Sequence, residues 1–146
     1  MSDAETLNKD FAGEGMYREN ILDHFKHPRH FGKIKNASVS HTEYNPVCGD
    51  TITFDVIFDA KEKVKEIKFH GHGCAISISA ASVLTDELVG KSKKEIEKLA
   101  RDDIVQLLGI ELGPVRLKCA MLSLDTIKNA ARIHNKYIQN PAAGGK

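Results

Sequence analysis

The residues with the most chemistry to offer are three cysteines, Cys48, Cys74 and Cys119, and a carboxylate two positions beyond the first of them, Asp50. Cys48 and Asp50 lie in Asn45-Pro46-Val47-Cys48-Gly49-Asp50, a Pro/Gly turn leading into an alternating segment. Cys74 closes Gly71-His72-Gly73-Cys74, and Cys119 closes Arg116-Leu117-Lys118-Cys119. Each stands where a loop ends and an element begins, not midway along an apolar run where a thiol is simply a small core group. Gly49 and Gly73 also let backbone approach closely, as metal sites often require. Three thiols and one carboxylate make a four-ligand set suited to zinc or an iron-sulfur cluster. A single thiol with a nearby histidine is also the apparatus of a thiol enzyme, but that reading leaves two cysteine motifs unused.

The neighbours of these groups divide by chemistry. Lys118 is an ammonium and a poor ligand; its use beside Cys119 is positive charge that stabilises a thiolate or an incoming persulfide. Of the seven histidines, His24, His27 and His30 flank a helix end and read as solvated surface groups. His70 and His72 close a strand next to Cys74; the strand's alternation points them to solvent, and His72 is the one placed to reach the site.

Composition narrows the field. The chain has 146 residues, 41% hydrophobic and 28% charged, enough for one domain with a real core. Its 21 basic and 20 acidic residues leave a net charge of +1, which supplies no field for gathering nucleic acid or an anionic membrane. The start, with Asp3, Glu5, Asp10 and Glu14, has neither the basic beginning nor the apolar core of a signal peptide, and no apolar run is long enough to span a bilayer. A cytoplasmic protein is expected, and in a reducing compartment thiols serve as ligands or nucleophiles more often than as disulfides.

The elements that position the four groups follow from periodicity. Residues 1–15 read as a flexible leader, 16–139 as one domain and 140–146 as a disordered tail. Tyr17, Ile21, Leu22 and Phe25 recur at helical spacing until His27-Pro28 stops the helix. Residues 37–44 suggest a first strand, at an edge. Ile52, Phe54, Val56 and Phe58 alternate with Thr51, Thr53 and Asp55, the period of a half-buried strand. Residues 64–70 give its hairpin partner, ended by Gly71 and Gly73, with Val64 out of phase as at a bulge. Cys74 then opens a helix with the stripe Ile76, Ala80, Leu84 and Leu88, where unpaired amides and the dipole favour a thiolate. Ser92 with Glu95 forms a capping box for a short helix, residues 102–108 form another, and Pro114 begins a long last helix lined by Leu117, Ala120, Leu124, Ile127 and Ala131. The class is α+β: a small three-stranded antiparallel sheet covered by helices, with an N-terminal helix and a long C-terminal one, and all three cysteines at one end.

These motifs carry a family likeness. The chain resembles the scaffold proteins of iron-sulfur cluster assembly, the IscU, SufU and NifU N-terminal family, from Tyr17 to about Ala131. The likeness rests on Asp23-His24 and Pro28-Arg29, Asn45-Pro46-Val47-Cys48-Gly49-Asp50, Gly71-His72-Gly73-Cys74-Ala75-Ile76-Ser77 and Arg116-Leu117-Lys118-Cys119-Ala120. It implies the IscU/SufU-like fold, with Cys48, Asp50, Cys74 and Cys119 gathered at one exposed end to hold iron, a [2Fe-2S] cluster or zinc. It also implies a scaffold, not a turnover enzyme, that accepts persulfide sulfur from a cysteine desulfurase and delivers the cluster to apo iron-sulfur acceptor proteins. A monomer or weak homo-oligomer is expected. Cys119 is the expected persulfide acceptor, and Asp50, a hard ligand among soft ones, suits a cluster that must leave. Lys118 stands where IscU-like members carry histidine, and Leu112-Gly113-Pro114-Val115-Arg116 where they carry a Leu-Pro-Pro-Val-Lys chaperone motif. The tetrad ending in Cys119 is like that of SufU, which implies the alternative of a zinc-dependent sulfurtransferase. The interval from Cys74 to Cys119, however, lacks the insertion SufU-like members carry.

Overall fold

Alternation builds the sheet. The computed structural model describes residues 15–46 and 49–139. Strands β1 (Val39–Asn45), β2 (Asp50–Phe58) and β3 (Val64–His72) pair antiparallel in the order β1-β2-β3. The even-numbered residues of β2 from Ile52 to Val56, with Ile67 and Phe69 of β3, are no more than 1% exposed and form the face on which the helices pack. Residue 58 pairs with Val64 while Ile57 pairs with Glu66, so Lys65 is the extra residue of a bulge, and the phase change at Val64 has its cause there. Asn45 pairs with Asp50, and the Gly49 amide donates to the Asn45 carbonyl at 2.7 Å, closing the β1–β2 hairpin. Cys48 lies outside the described residues, as do the expected leader before Gly15 and the expected tail.

β3 runs two residues further than its glycines suggest. Gly71 is within the strand, paired with Ile52, at φ +144°. A Cβ there would sit 2.0 Å from the Thr51 carbonyl oxygen, so glycine is required for β2 and β3 to meet, and it extends the strand instead of ending it. Gly71→Ala is expected to lower unfolding free energy by at least about 3 kcal/mol, read from the urea midpoint. An unchanged midpoint would mean that this close approach is not needed.

Among the described residues five helices join the sheet: α1 (Gly15–Lys26), α2 (Ala75–Leu88), α3 (Lys93–Lys98), α4 (Arg101–Leu108) and α5 (Pro114–Gln139). α5 lies over β1 and β2, α2 over β3 and against α5, and α1 on the far side of α2. α2 is therefore central, and the expected stripe of Ile76, Ala80, Leu84 and Leu88 is only part of its buried surface. Ser77, Ser79, Ser82 and Thr85 are fully buried too. Small side chains let neighbours pack closely, and the hydroxyls find partners: Ser79 donates to the Ile21 carbonyl at 2.7 Å and Thr85 to the Ser82 carbonyl at 2.6 Å. Ser92 and Glu95 form the expected capping box.

His24 corrects the surface reading given to it. It is 7% exposed, and its Nδ1 lies 2.6 Å from Ser82 Oγ, which also accepts the Arg29 amide at 2.8 Å. Burial, reinforced by the nearby Arg29 charge, holds the ring's pKa below the ordinary imidazole value. With Ile21 and His24 turned inward, Phe25 of the expected apolar stripe is 40% exposed. His27 and His30 are exposed as expected. No helix among the described residues is long and apolar enough to cross a membrane.

Candidate metal centre

Asp50 is the first residue of β2 and continues the helix-facing row begun by Ile52 and Phe54, so its carboxylate points under the helices and is only 2% exposed. Cys74 is the residue that caps α2, in extended conformation (φ −73°, ψ 171°), with its amide donating to Asp50 Oδ1 at 3.2 Å. Its sulfur is exposed and stands 3.7 Å from Asp50 Oδ2. Cys119, on α5, is 3% exposed. The three residues offer ligand atoms that all lie within 4.8 Å of one another.

This set fits a metal. Ligands about 2.3 Å from a tetrahedral zinc stand roughly 3.8 Å apart, so a small closure suffices, and two thiolates with one carboxylate are donors that zinc and iron accept. Backbone geometry keeps room for it: a Cβ on Gly73 would lie 2.8 Å from Asp50 Oδ1 and 2.9 Å from Asp50 Cγ, displacing the carboxylate. Cys74 receives the field of the α2 N-terminus directly, whereas Cys119 is the sixth residue of α5, beyond the turn where that field is strongest.

The remaining expected groups are placed differently. Lys118 is exposed and adjacent in sequence to a buried Cys119. His72 pairs with Thr51, on the opposite face of the sheet from Asp50, and is exposed; the strand alternation that pointed it to solvent prevails. One residue was missed. Ser77 is fully buried and donates a hydrogen bond to Asp50 Oδ2, with its Oγ 3.5 Å from Cys74 Sγ and 3.4 Å from the Cys119 carbonyl oxygen. Once Cys74 is seen as the cap, residue 77 falls at the third helical position, whose side chain lies beside the cap. That spacing was the available signal.

Comparison with known proteins gives the chain a family. Residues 16–141 match the model of the NifU-like N-terminal domain. An iron-sulfur cluster assembly scaffold protein IscU of Archaeoglobus fulgidus is 36% identical over 116 residues, covering 79% of this chain and 74% of its own. A zinc-dependent sulfurtransferase SufU of Bacillus subtilis is 34% identical over 125 residues, covering 74% of this chain and 84% of its own. A crystal structure from Fervidobacterium islandicum, described as an iron-sulfur cluster assembly scaffold for the SUF system, superposes with a TM-score of 0.70 at 31% identity, over 81% of this chain and 98% of that one. The three-stranded sheet and its helical cover are thus shared with solved relatives, and the chain belongs to the NifU-like N-terminal domain family.

Proposed function

We propose that this protein is an iron-sulfur cluster assembly scaffold, taking sulfur from a cysteine desulfurase and supplying a [2Fe-2S] cluster to apo-proteins, with Cys48, Asp50, Cys74 and Cys119 as the ligands. The observation that carries the reading is the convergence of Asp50, Cys74 and Cys119 within 4.8 Å at one end of the sheet. Sulfur acceptance is a displacement: the Cys119 thiolate attacks the outer sulfur of the partner's persulfide, the S–S bond breaks, and the partner's cysteine leaves as a thiolate. Cys119 then carries the sulfane sulfur, and no oxidant or reductant is consumed. Exposed Arg116 and Lys118 offer positive charge to the anionic persulfide. A carboxylate in the ligand set lowers the grip on a soft cluster relative to a fourth thiolate and favours its release.

A second reading, a zinc-dependent sulfurtransferase, draws on Lys118, an exposed ammonium where a histidine ligand would otherwise precede Cys119. Zinc, when bound, keeps its cysteine ligands deprotonated. One experiment separates the two. The protein is incubated anaerobically with a cysteine desulfurase, cysteine, ferrous iron and a dithiol, then mixed with apo-ferredoxin. Two ferrous ions together supply two, and one dithiol the other two, of the four electrons that reduce a cluster's two sulfane sulfurs to sulfide. Visible absorption followed by holo-ferredoxin is the expected result. Sulfur relayed onward with zinc retained and no transferable cluster favours the second reading, and absence of both overturns the site.

A further inference from the structure

Resting on that reading of the site, we propose that Ser77 is a positioning residue of the metal centre: its hydroxyl fixes the Asp50 carboxylate against the two thiols and thereby sets how fast a bound metal leaves. Ser77 is fully buried at the crossing of α2 and α5, and one hydroxyl touches all three ligand residues. It donates to Asp50 Oδ2, lies 3.5 Å from Cys74 Sγ and stands 3.4 Å from the Cys119 carbonyl oxygen. Its backbone is tied as well, because Ser123 Oγ of α5 donates to the Ser77 carbonyl at 3.3 Å.

A serine hydroxyl has one proton, and a buried carboxylate is the strongest acceptor it can meet here. The proton therefore goes to Asp50 Oδ2, which leaves Ser77 Oγ with acceptor capacity 3.5 Å from Cys74 Sγ. The other carboxylate oxygen is held by the Cys74 amide at 3.2 Å. Both oxygens of Asp50 are thus hydrogen-bonded from α2, which restrains rotation of the carboxylate and leaves its remaining lone pairs for a metal. Groups that orient a ligand in this way contribute strongly to metal affinity although they never touch the ion.

The test measures zinc release to a chromogenic chelator from wild type, Ser77→Ala, Asp50→Ala and the double variant, with the Co2+ absorption spectrum of each as a record of ligand geometry. Ser77→Ala is expected to release zinc about 10- to 100-fold faster and to alter the Co2+ bands. In the Asp50→Ala background the same substitution is expected to add nothing, because the group it positions is gone. A general loss of packing would appear equally in both backgrounds, so equal losses would overturn the positioning role. Release from Ser77→Ala within twofold of wild type, with Asp50→Ala and Cys74→Ser both impaired, would sink the Ser77 inference alone. If Asp50→Ala and Cys74→Ser also behave as wild type, the reading of the site fails and the inference with it.

Discussion

Serine in place of Cys74 or of Cys119 is expected to weaken zinc binding by about two to three powers of ten, measured by competition with a chelator of known affinity. Structural zinc sites with four protein ligands bind with roughly 10–16 kcal/mol, so one ligand accounts for about a quarter, or 2.5–4 kcal/mol, and each 1.36 kcal/mol is a factor of ten. A serine hydroxyl does not ionise near neutral pH and cannot replace the thiolate. The two variants should lose equally only if both sulfurs bind the same ion. Cys74 and Cys119 come from different helices, with ligand atoms within 4.8 Å of each other and of Asp50. Asp50→Ala removes a weaker donor, and its expected loss on zinc is smaller. For a [2Fe-2S] cluster the same variant is expected to lengthen the lifetime, provided water or an external thiol fills the position, because the labile oxygen ligand is gone. Full zinc affinity in both cysteine variants would show that the two sulfurs do not share an ion, and a shorter cluster lifetime in Asp50→Ala would show that the carboxylate is not what makes the site release.

What could be read from the chain, and what could not, divides along local and non-local lines. The alternation of Ile52, Phe54, Val56 and Phe58 is a local signal with period two, and all four are buried as it predicts, but Thr53 and Asp55 between them are buried as well, where a half-buried strand would expose them. The bulge at Lys65 and the capping box at Ser92 were legible for the same reason, since each is written within a few residues. Cys74 could be assigned to a helix N-terminus because glycines precede it and an apolar period follows. His24 could not be placed: its inward position depends on Ser82, 58 residues away, which offers the hydrogen bond that a buried imidazole needs. α2 looked merely amphipathic because Ser and Ala carry little hydrophobic signal, yet small size is what lets helices and sheet surround it. Gly71 was read as a terminator where it permits a close strand contact, a distinction only the Thr51 carbonyl makes. The unequal exposure of Cys74 and Cys119 likewise has no local signature, since it depends on how α5 lies against the sheet.

That inequality leads to an inversion between small reagents and a protein donor. In the metal-free protein, iodoacetamide is expected to modify Cys74 at least about ten times faster than Cys119, because exposing a buried sulfur at a cost of about 1.4 kcal/mol or more reduces its reaction by that factor. Cysteine desulfurase is expected to do the opposite and place sulfur first on Cys119. An anionic persulfide approaching Cys74 meets the Asp50 carboxylate 3.7 Å from its sulfur, whereas the approach to Cys119 passes exposed Arg116 and Lys118. The segment ahead of α5 belongs to no helix or strand. Gly109 ends α4 in the left-handed region at φ +75°, residues 111–113 are non-helical, and Val115 is 58% exposed at the start of α5. Transfer to Cys119 therefore requires a partner that grips this surface and draws the first turns of α5 outward to uncover the thiol, which a small reagent does not do. Persulfides formed with the desulfurase, and separately with inorganic polysulfide, would be trapped by alkylation and located by mass spectrometry. Sulfur on Cys119 from the enzyme, and on Cys74 from polysulfide because for a small reagent the exposure of Cys74 outweighs the Asp50 charge, is the expected pair of results. If Cys119→Ser takes sulfur from the desulfurase as fast as the wild type, Cys119 is not the acceptor, and the approach to α5 has no part in sulfur transfer.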